Sequence, residues 1–78
     1  MKLVQIDWID STSSGRWEPD EDGGKHRLPR IRTVGYLLHR DKERMVLTQS
    51  VDSELKSNCD RIVIPMGCIK KLRYLKER

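Results

Sequence analysis

The sequence has no long apolar run, only two cysteines and no signal-peptide pattern at its start. No stretch approaches the roughly 20 apolar residues of a membrane-spanning helix, and the first ten residues lack a small-residue cleavage site. The two cysteines, Cys59 and Cys68, are spaced more widely than the usual pairs of metal ligands. These absences predict a cytoplasmic protein with no metal site and no cofactor, in which both thiols are buried or half-buried.

The motifs of common enzymes are also missing. The chain has neither a Walker sequence nor G-x-G-x-x-G, and no G-x-S-x-G elbow for a catalytic serine. His-Arg-Asp at 39–41 matches the first half of a kinase catalytic loop, but Val46 stands where that loop needs an asparagine. The alternative is a charged hairpin turn with Asp41 and Lys42 at its crown. We therefore expect no enzymatic activity and no catalytic residue.

The 78 residues are sufficient for one small domain covering 1–78. A chain of this length buries a modest share of its surface, so its stability margin is small. Because no disulfide framework or metal cluster is visible, assembly into a homo-oligomer is the natural supplement.

Charge is distributed unevenly along the chain. Residues 1–24 contain two basic and six acidic side chains, whereas residues 25–78 contain 14 basic and six acidic ones. The basic residues form two clusters, KHRLPRIR at 25–32 and KKLRYLKER at 70–78. A basic surface suggests an anionic partner such as nucleic acid or a nucleotide, although charge of this kind also keeps small domains soluble.

Alternation of apolar and polar residues predicts five short strands. These are 2–9, 32–39, 43–51, 61–65 and 69–75. A polar loop over 11–30 follows the first strand, with Trp17, Leu28 and Pro29 as its plausible anchors to a core. Gly35 inside the second strand indicates a bulge, a bend or a close approach of two backbones.

Two later segments leave alternatives open. The polar connection 52–60 allows one helical turn around Ser53–Leu55, and a final helix remains possible at the end of the chain. If 69–75 is a strand, alternation places Lys70 opposite Lys71 and Arg73, which argues against a continuous basic stripe.

The strand pattern predicts an all-β fold, a small five-stranded barrel with a long loop after the first strand. RIVIPMGCIKKL at 61–72 resembles the SH3 arrangement, in which a strand ends at Ile-Pro and a 3₁₀ turn follows. GYLLHRDKERMVL at 35–47 is similar to the bent hairpin of Sm proteins. These resemblances imply an SH3-like or Sm-like barrel and no particular function.

A wider resemblance covers most of the chain. It rests on Trp8, Asp10-Ser11, Trp17, Thr33-Val34-Gly35-Tyr36-Leu37 and Ile64-Pro65 followed by Gly67-Cys68-Ile69. With these residues the chain resembles short phage and prophage proteins of unassigned activity. The resemblance implies a phage protein that acts in a bacterial host, including action against host defences, and it implies nothing for residues 18–25.

Binding of an anionic ligand is the function that these features favour. Small barrels of this kind hold nucleotides with aromatic and basic side chains. The candidate ligand-binding residues are Trp17, Lys25, Arg27, Arg30, Arg32, Tyr36, Lys70, Lys71 and Arg73. The ligand would be nucleic acid or a nucleotide, including a sequestered nucleotide signal of host defence. Two alternatives are an inhibitor or adaptor that binds a host protein through its acidic segment 18–22, and a structural phage component.

Overall fold

The computed structural model describes residues 1–76 and shows one sheet of five antiparallel strands. The strands are β1 (Lys2–Ile9), β2 (Arg30–Arg40), β3 (Arg44–Asp52), β4 (Ser57–Pro65) and β5 (Ile69–Tyr74). Two short 3₁₀ helices, Asp20–Lys25 and Met66–Cys68, are the only helical segments among the described residues. The predicted all-β class is therefore confirmed.

The strands lie in the order β4-β3-β2-β1-β5. Along β1 the side chains of Val4, Ile6 and Trp8 are buried, while the residues between them are half-buried. Met45 and Leu47 of β3 and Ile64 of β4 complete the core. Burial of these apolar side chains is the main favourable contribution to folding, at about 1.5–3 kcal/mol for each large one.

The core side chains come from β1, β3 and β4, and β1 is not a neighbour of β3 or β4 in the sheet. These strands can pack against one another only because the sheet is curled. Two contacts bring the β2–β3 hairpin close to the start and the end of β5. The backbone N–H of Met66 donates to the carbonyl of Glu43 at 2.9 Å, and a guanidinium N–H of Arg40 lies 3.4 Å from the hydroxyl of Tyr74. Among the described residues no ladder joins β4 to β5, so the sheet is open. The SH3-like or Sm-like label remains a prediction.

The β3–β4 hairpin is longer than the sequence indicated. The predicted connection 52–60 is reduced to a turn at 53–56, and the helical turn around Ser53–Leu55 is absent. The carboxylate of Asp52 accepts the N–H groups of Glu54 and Leu55, and Lys56 adopts a φ of 52°. Backbone pairing continues through polar residues such as Asn58 because ladder hydrogen bonds do not require an apolar side chain.

The other boundary differences are smaller. β2 begins at Arg30, two residues before the predicted start. The open alternative of a final helix is wrong for Ile69–Tyr74, which is a strand. Glu77 and Arg78, which end the basic cluster 70–78, lie outside the described residues.

The loop between β1 and β2 lies outside the core. Its root is closed by a hydrogen bond of 3.0 Å from the N–H of Asp10 to the carbonyl of Pro29. Trp17 is completely exposed and Leu28 is 60% exposed, so neither side chain is the core anchor that the sequence suggested. Pro29 is half-buried. A loop this rich in glycine and charge offers too little apolar surface to pack against the sheet.

Candidate anion-binding face

The outer surface of β2, β1 and β5 collects basic side chains. Because successive residues of a strand point to opposite faces, burial of Val4, Ile6 and Trp8 directs Gln5, Asp7 and Ile9 outward. Basic residues of the neighbouring strands pair with these outward positions. The pairs are Arg30 with Ile9, Arg32 and Lys71 with Asp7, and Arg73 with Gln5. Arg30, Arg32, Lys70, Lys71 and Arg73 together form what we call the basic face.

A β-bulge brings Lys70 to the same region. Trp8 pairs with Ile69 and Asp7 pairs with Lys71, so β5 has one extra residue at Lys70. The bulge allows Ile69 and Leu72 to pack against the core although they are three positions apart. The predicted alternation of 69–75, with Ile69 and Leu72 on opposite faces, is therefore wrong.

Asp7 is the only acidic side chain in the paired strand positions of this face, and it forms an ion pair with Arg32. Asp7 accepts hydrogen bonds of 2.8 and 3.2 Å from the guanidinium of Arg32. The hydrogen bonds from Arg32 are the largest cause that lowers the pKa of Asp7. Desolvation opposes them, and the charges of Arg32, Lys71 and Arg73 each add a smaller lowering effect. Asp7 thus stays ionised and offsets one positive charge, while the other four cations of the face have no carboxylate partner within 4 Å among residues 1–76.

A groove of about 830 Å³ adjoins the basic face. We call it the cationic groove. It lies between the root of the long loop and the 3₁₀ turn before β5, and its lining residues are Ile9, Asp10, Ser11, His26, Arg27, Leu28, Arg30, Gly67, Cys68 and Lys70. Ile9, Leu28 and Cys68 give it apolar surface, whereas Arg27, Arg30 and Lys70 give it positive charge.

The groove and the face are continuous. A smaller depression of about 310 Å³ lies above the β1–β2 ladder, where Asp7 and Arg32 are part of its lining. Ile9, Arg30 and Lys70 line both depressions. Five of the nine candidate residues therefore form the basic face, and a sixth, Arg27, joins it through the groove.

The remaining three candidates lie elsewhere. Lys25 ends the 3₁₀ helix of the loop and forms an ion pair of 2.7 Å with Asp22. Trp17 lines a shallow depression formed by the loop itself. Tyr36 lines a groove of about 510 Å³ with Met1, Leu38 and the β3–β4 turn. None of the four cavities described above, all within residues 1–76, contains both a candidate aromatic and a residue of the basic face.

Sequence reasoning missed the apolar part of the cationic groove. The sequence predicts Ile9 as a strand residue and Leu28 as an anchor to the core. It predicts Cys68 as a buried or half-buried thiol. Cys68 is half-buried as expected, but Cys59 is exposed. The signal for Leu28 was present, since a lone leucine between basic residues in a polar loop had no apolar neighbours to pack with.

Within 1–76 no three His, Cys, Asp or Glu side chains are grouped so that they could hold a metal ion. The same residues include no helix with the length and apolar character needed to span a membrane.

No protein-family model, no curated protein and no solved structure matches the chain.

Proposed function

We propose that this protein is a non-enzymatic binding protein that holds nucleic acid through its phosphate groups on the basic face. The observation that supports the proposal is the accumulation of five cations on one sheet surface, with Asp7 as the single opposing charge. Lysine and arginine on a protein surface bind nucleic acid by replacing the counterions of the phosphates.

The extent of the face favours a polymer over a single nucleotide. The cations belong to two strands on either side of β1 and reach from Arg30, beside the loop root, to Arg73. Neighbouring strands are about 4.8 Å apart and alternate residues about 6.8 Å apart, so the face is wider than one phosphate group. Several phosphates in a row would use it fully.

The experiment is a salt titration of binding to a short labelled oligonucleotide. Loss of two phosphate contacts in Lys71→Ala/Arg73→Ala should weaken binding at low salt and reduce the slope of log K against log salt by about 1.5 to 2. The matched control is Lys42→Ala/Lys56→Ala, which removes the same net charge from two exposed hairpin turns.

The control should keep the slope of the unmodified protein. Equal losses in the two double variants would mean that net charge alone attracts the oligonucleotide, and the basic face would then not be the site. No binding of DNA or RNA at low salt would overturn the proposal altogether.

A second candidate is binding of a host protein through the acidic segment 18–22. It is favoured by the exposure of Trp17 next to Glu18, because an exposed tryptophan is a frequent anchor at protein interfaces. Replacement of Asp20, Glu21 and Asp22 by alanine should then abolish the protein interaction and leave nucleic-acid binding intact. The resemblance to phage proteins suits either candidate, since both would act on components of a bacterial host.

A further inference from the structure

The cationic groove combines two surfaces that one ligand must match. Leu28 is 60% exposed on the groove, and Ile9 and Cys68 add half-buried apolar surface beside it. Arg27, Arg30 and Lys70 line the same space. The volume of about 830 Å³ lies within the range of small-molecule pockets. A ligand group that fits has a mainly apolar body attached to an anion.

The polar groups of the groove suit the edge of a nucleobase. The carboxylate of Asp10 accepts a hydrogen bond of 2.8 Å from the N–H of Ser11 and has further lone pairs for an amino group. The hydroxyl of Ser11 both donates and accepts. Asp10 is a disadvantage for a phosphate, so the base belongs at Asp10 and the phosphates at Arg30 and Lys70.

Because the cationic groove is continuous with the basic face, a polymer bound along the face leads into the groove. Arg30 and Lys70 border both the groove and the depression above β1 and β2. A chain whose phosphates follow the basic face therefore reaches the groove with its next nucleotide, and the base of that nucleotide can enter only when it is neither paired nor stacked.

We infer that the ligand of the basic face is single-stranded nucleic acid, one unstacked base of which occupies the cationic groove. This inference rests on the proposed function and adds the class of nucleic acid. A duplex would have to unpair and unstack a base at a cost of a few kcal/mol, whereas the bases of a single strand are free to turn outward. No tryptophan or tyrosine of residues 1–76 lines the groove, and the aromatic ring present there is the imidazole of His26. Apolar contact and the polar edge of the base contribute to holding it.

The two cysteines provide a direct test. Cys68 lines the groove, and Cys59 is exposed on β4, on the opposite edge of the sheet. Alkylation of the unmodified protein is followed at both cysteines by peptide mass spectrometry. With single-stranded oligonucleotide at about ten times its Kd, the rate at Cys68 should fall about tenfold because about a tenth of the sites stay free. The rate at Cys59 should not change.

A duplex of the same sequence, at ten times its own Kd, should leave the alkylation rate of Cys68 near that of the free protein. Protection of Cys68 by the duplex to the same degree would overturn the inference. So would full protection of Cys59, because ligand contact would then not be specific to the groove.

A substitution that leaves the charge unchanged tests the contribution of the apolar contact. Leu28→Ser should weaken single-strand binding about fivefold to tenfold, as expected for partial loss of an apolar contact. The control Leu55→Ser changes a leucine that is 76% exposed in the β3–β4 turn and should leave the affinity unchanged. Equal effects of the two variants would contradict the inference.

Binding of mononucleotides distinguishes a free nucleotide from a nucleotide that is part of a strand, since both carry a base and a phosphate. A nucleoside monophosphate should protect Cys68 only at far higher concentration than the oligonucleotide, since it lacks contacts with Lys71 and Arg73. Equal affinity for the mononucleotide would overturn the single-strand inference. If no nucleic acid binds at low salt, the proposed function is overturned together with the inference. If nucleic acid binds but Cys68 is protected equally by duplex or by mononucleotide, only the single-strand inference fails.

Discussion

Gly35 lies where β2 and β3 approach each other closely. It is buried, and a Cβ atom there would lie 3.0 Å from the carbonyl oxygen of Thr48 and 3.3 Å from the amide nitrogen of the Gln49 side chain. Thr48 has little freedom to move, because its side chain is fully buried and its hydroxyl donates to the carbonyl of Cys59 at 2.6 Å. Among the open explanations for this glycine, the close approach of two backbones is the one that the structure shows.

We expect Gly35→Ala to lower the free energy of unfolding by about 1–3 kcal/mol, the usual cost of an added group in a packed site. In a domain of this size, each kcal/mol corresponds to a decrease in Tm of about 4–8 °C. Gly67→Ala is the control, because nothing lies within 4 Å of its added Cβ and its φ is not positive. Calorimetry should show little change or a small gain for Gly67→Ala, and equal stability of the two variants would contradict the steric argument.

At the scale of the element, the β2–β3 turn is organised by Asp41. Its carboxylate accepts the N–H groups of Glu43 and Arg44 at 2.8 and 3.0 Å, and lies 2.7 Å from Nε2 of His39. The hydrogen bond with His39 is the largest cause that lowers the pKa of Asp41 to about 2, followed by the bond from the backbone of Glu43. Residues 41–43 thus form the turn of the β2–β3 hairpin, with Asp41 and Lys42 in it as the sequence predicts.

The lowered pKa of Asp41 predicts a pH-dependent contribution to stability. Since an unfolded aspartate titrates near 3.9, the contribution is fully present above about pH 4 and is lost as the pH falls through about 2. Asp41→Asn should therefore lower Tm at pH 6, and the difference from the unmodified protein should shrink steadily between pH 4 and pH 2. Circular dichroism melts at each pH measure this difference.

Lys42→Gln is the control for the turn, since it changes a neighbouring exposed residue that carries no carboxyl group. Its difference from the unmodified protein should be independent of pH over this range. A constant difference for Asp41→Asn would show that the turn gains nothing from the ionised carboxylate.

The bulge at Lys70 shows how one extra residue changes an element. Without it, Ile69 and Leu72 would point to opposite faces of β5, and one of them would leave the core. With it, both pack inward, and Lys70, Lys71 and Arg73 all border the outer face. The same irregularity therefore serves the core and the candidate site.

The whole molecule is more extended than its length requires. Its radius of gyration is 16.2 Å and its longest dimension is 54 Å, whereas a compact chain of this length has a radius of about 11.5 Å. The loop at 11–29 and the exposed β3–β4 turn lie outside the core. Acidic side chains cluster at 18–22 of this loop, whereas the basic face lies on the sheet.

Replacement of residues 12–27 by a short Gly-Ser linker should leave the fold intact. Almost every side chain removed is exposed, and a shorter loop costs less closure entropy, about 1 kcal/mol for a threefold reduction. Tm should therefore stay the same or rise by a few degrees, and X-ray scattering should give a smaller radius of gyration.

The shortened protein also separates the two candidate functions. Nucleic-acid binding through Lys71 and Arg73 should persist, with a salt slope reduced by about 1 for the loss of Arg27. Binding of a host protein through 18–22 should disappear. Unfolding of the shortened protein would contradict the conclusion that the loop lies outside the core.

The all-β class, the five strands near their observed positions, the long loop and the turn at Asp41 could be predicted from the amino-acid sequence. These features depend on local signals, namely alternation along a strand and the preference of glycine, proline and aspartate for turns. The extension of β4 to Ser57 escaped prediction because polar residues such as Asn58 give no alternation, although their backbones pair.

Which candidate residues lie together depends on how the strands are arranged in space. Arg30, Arg32 and Lys71 meet across β1 because of strand order and register, while Trp17 and Tyr36 are placed in other depressions. The cationic groove draws Ile9, Leu28 and Cys68 from three separate segments, a convergence that no local pattern contains. Its physical cause is the packing of the curled sheet around one small core, which sets the loop root beside the turn before β5.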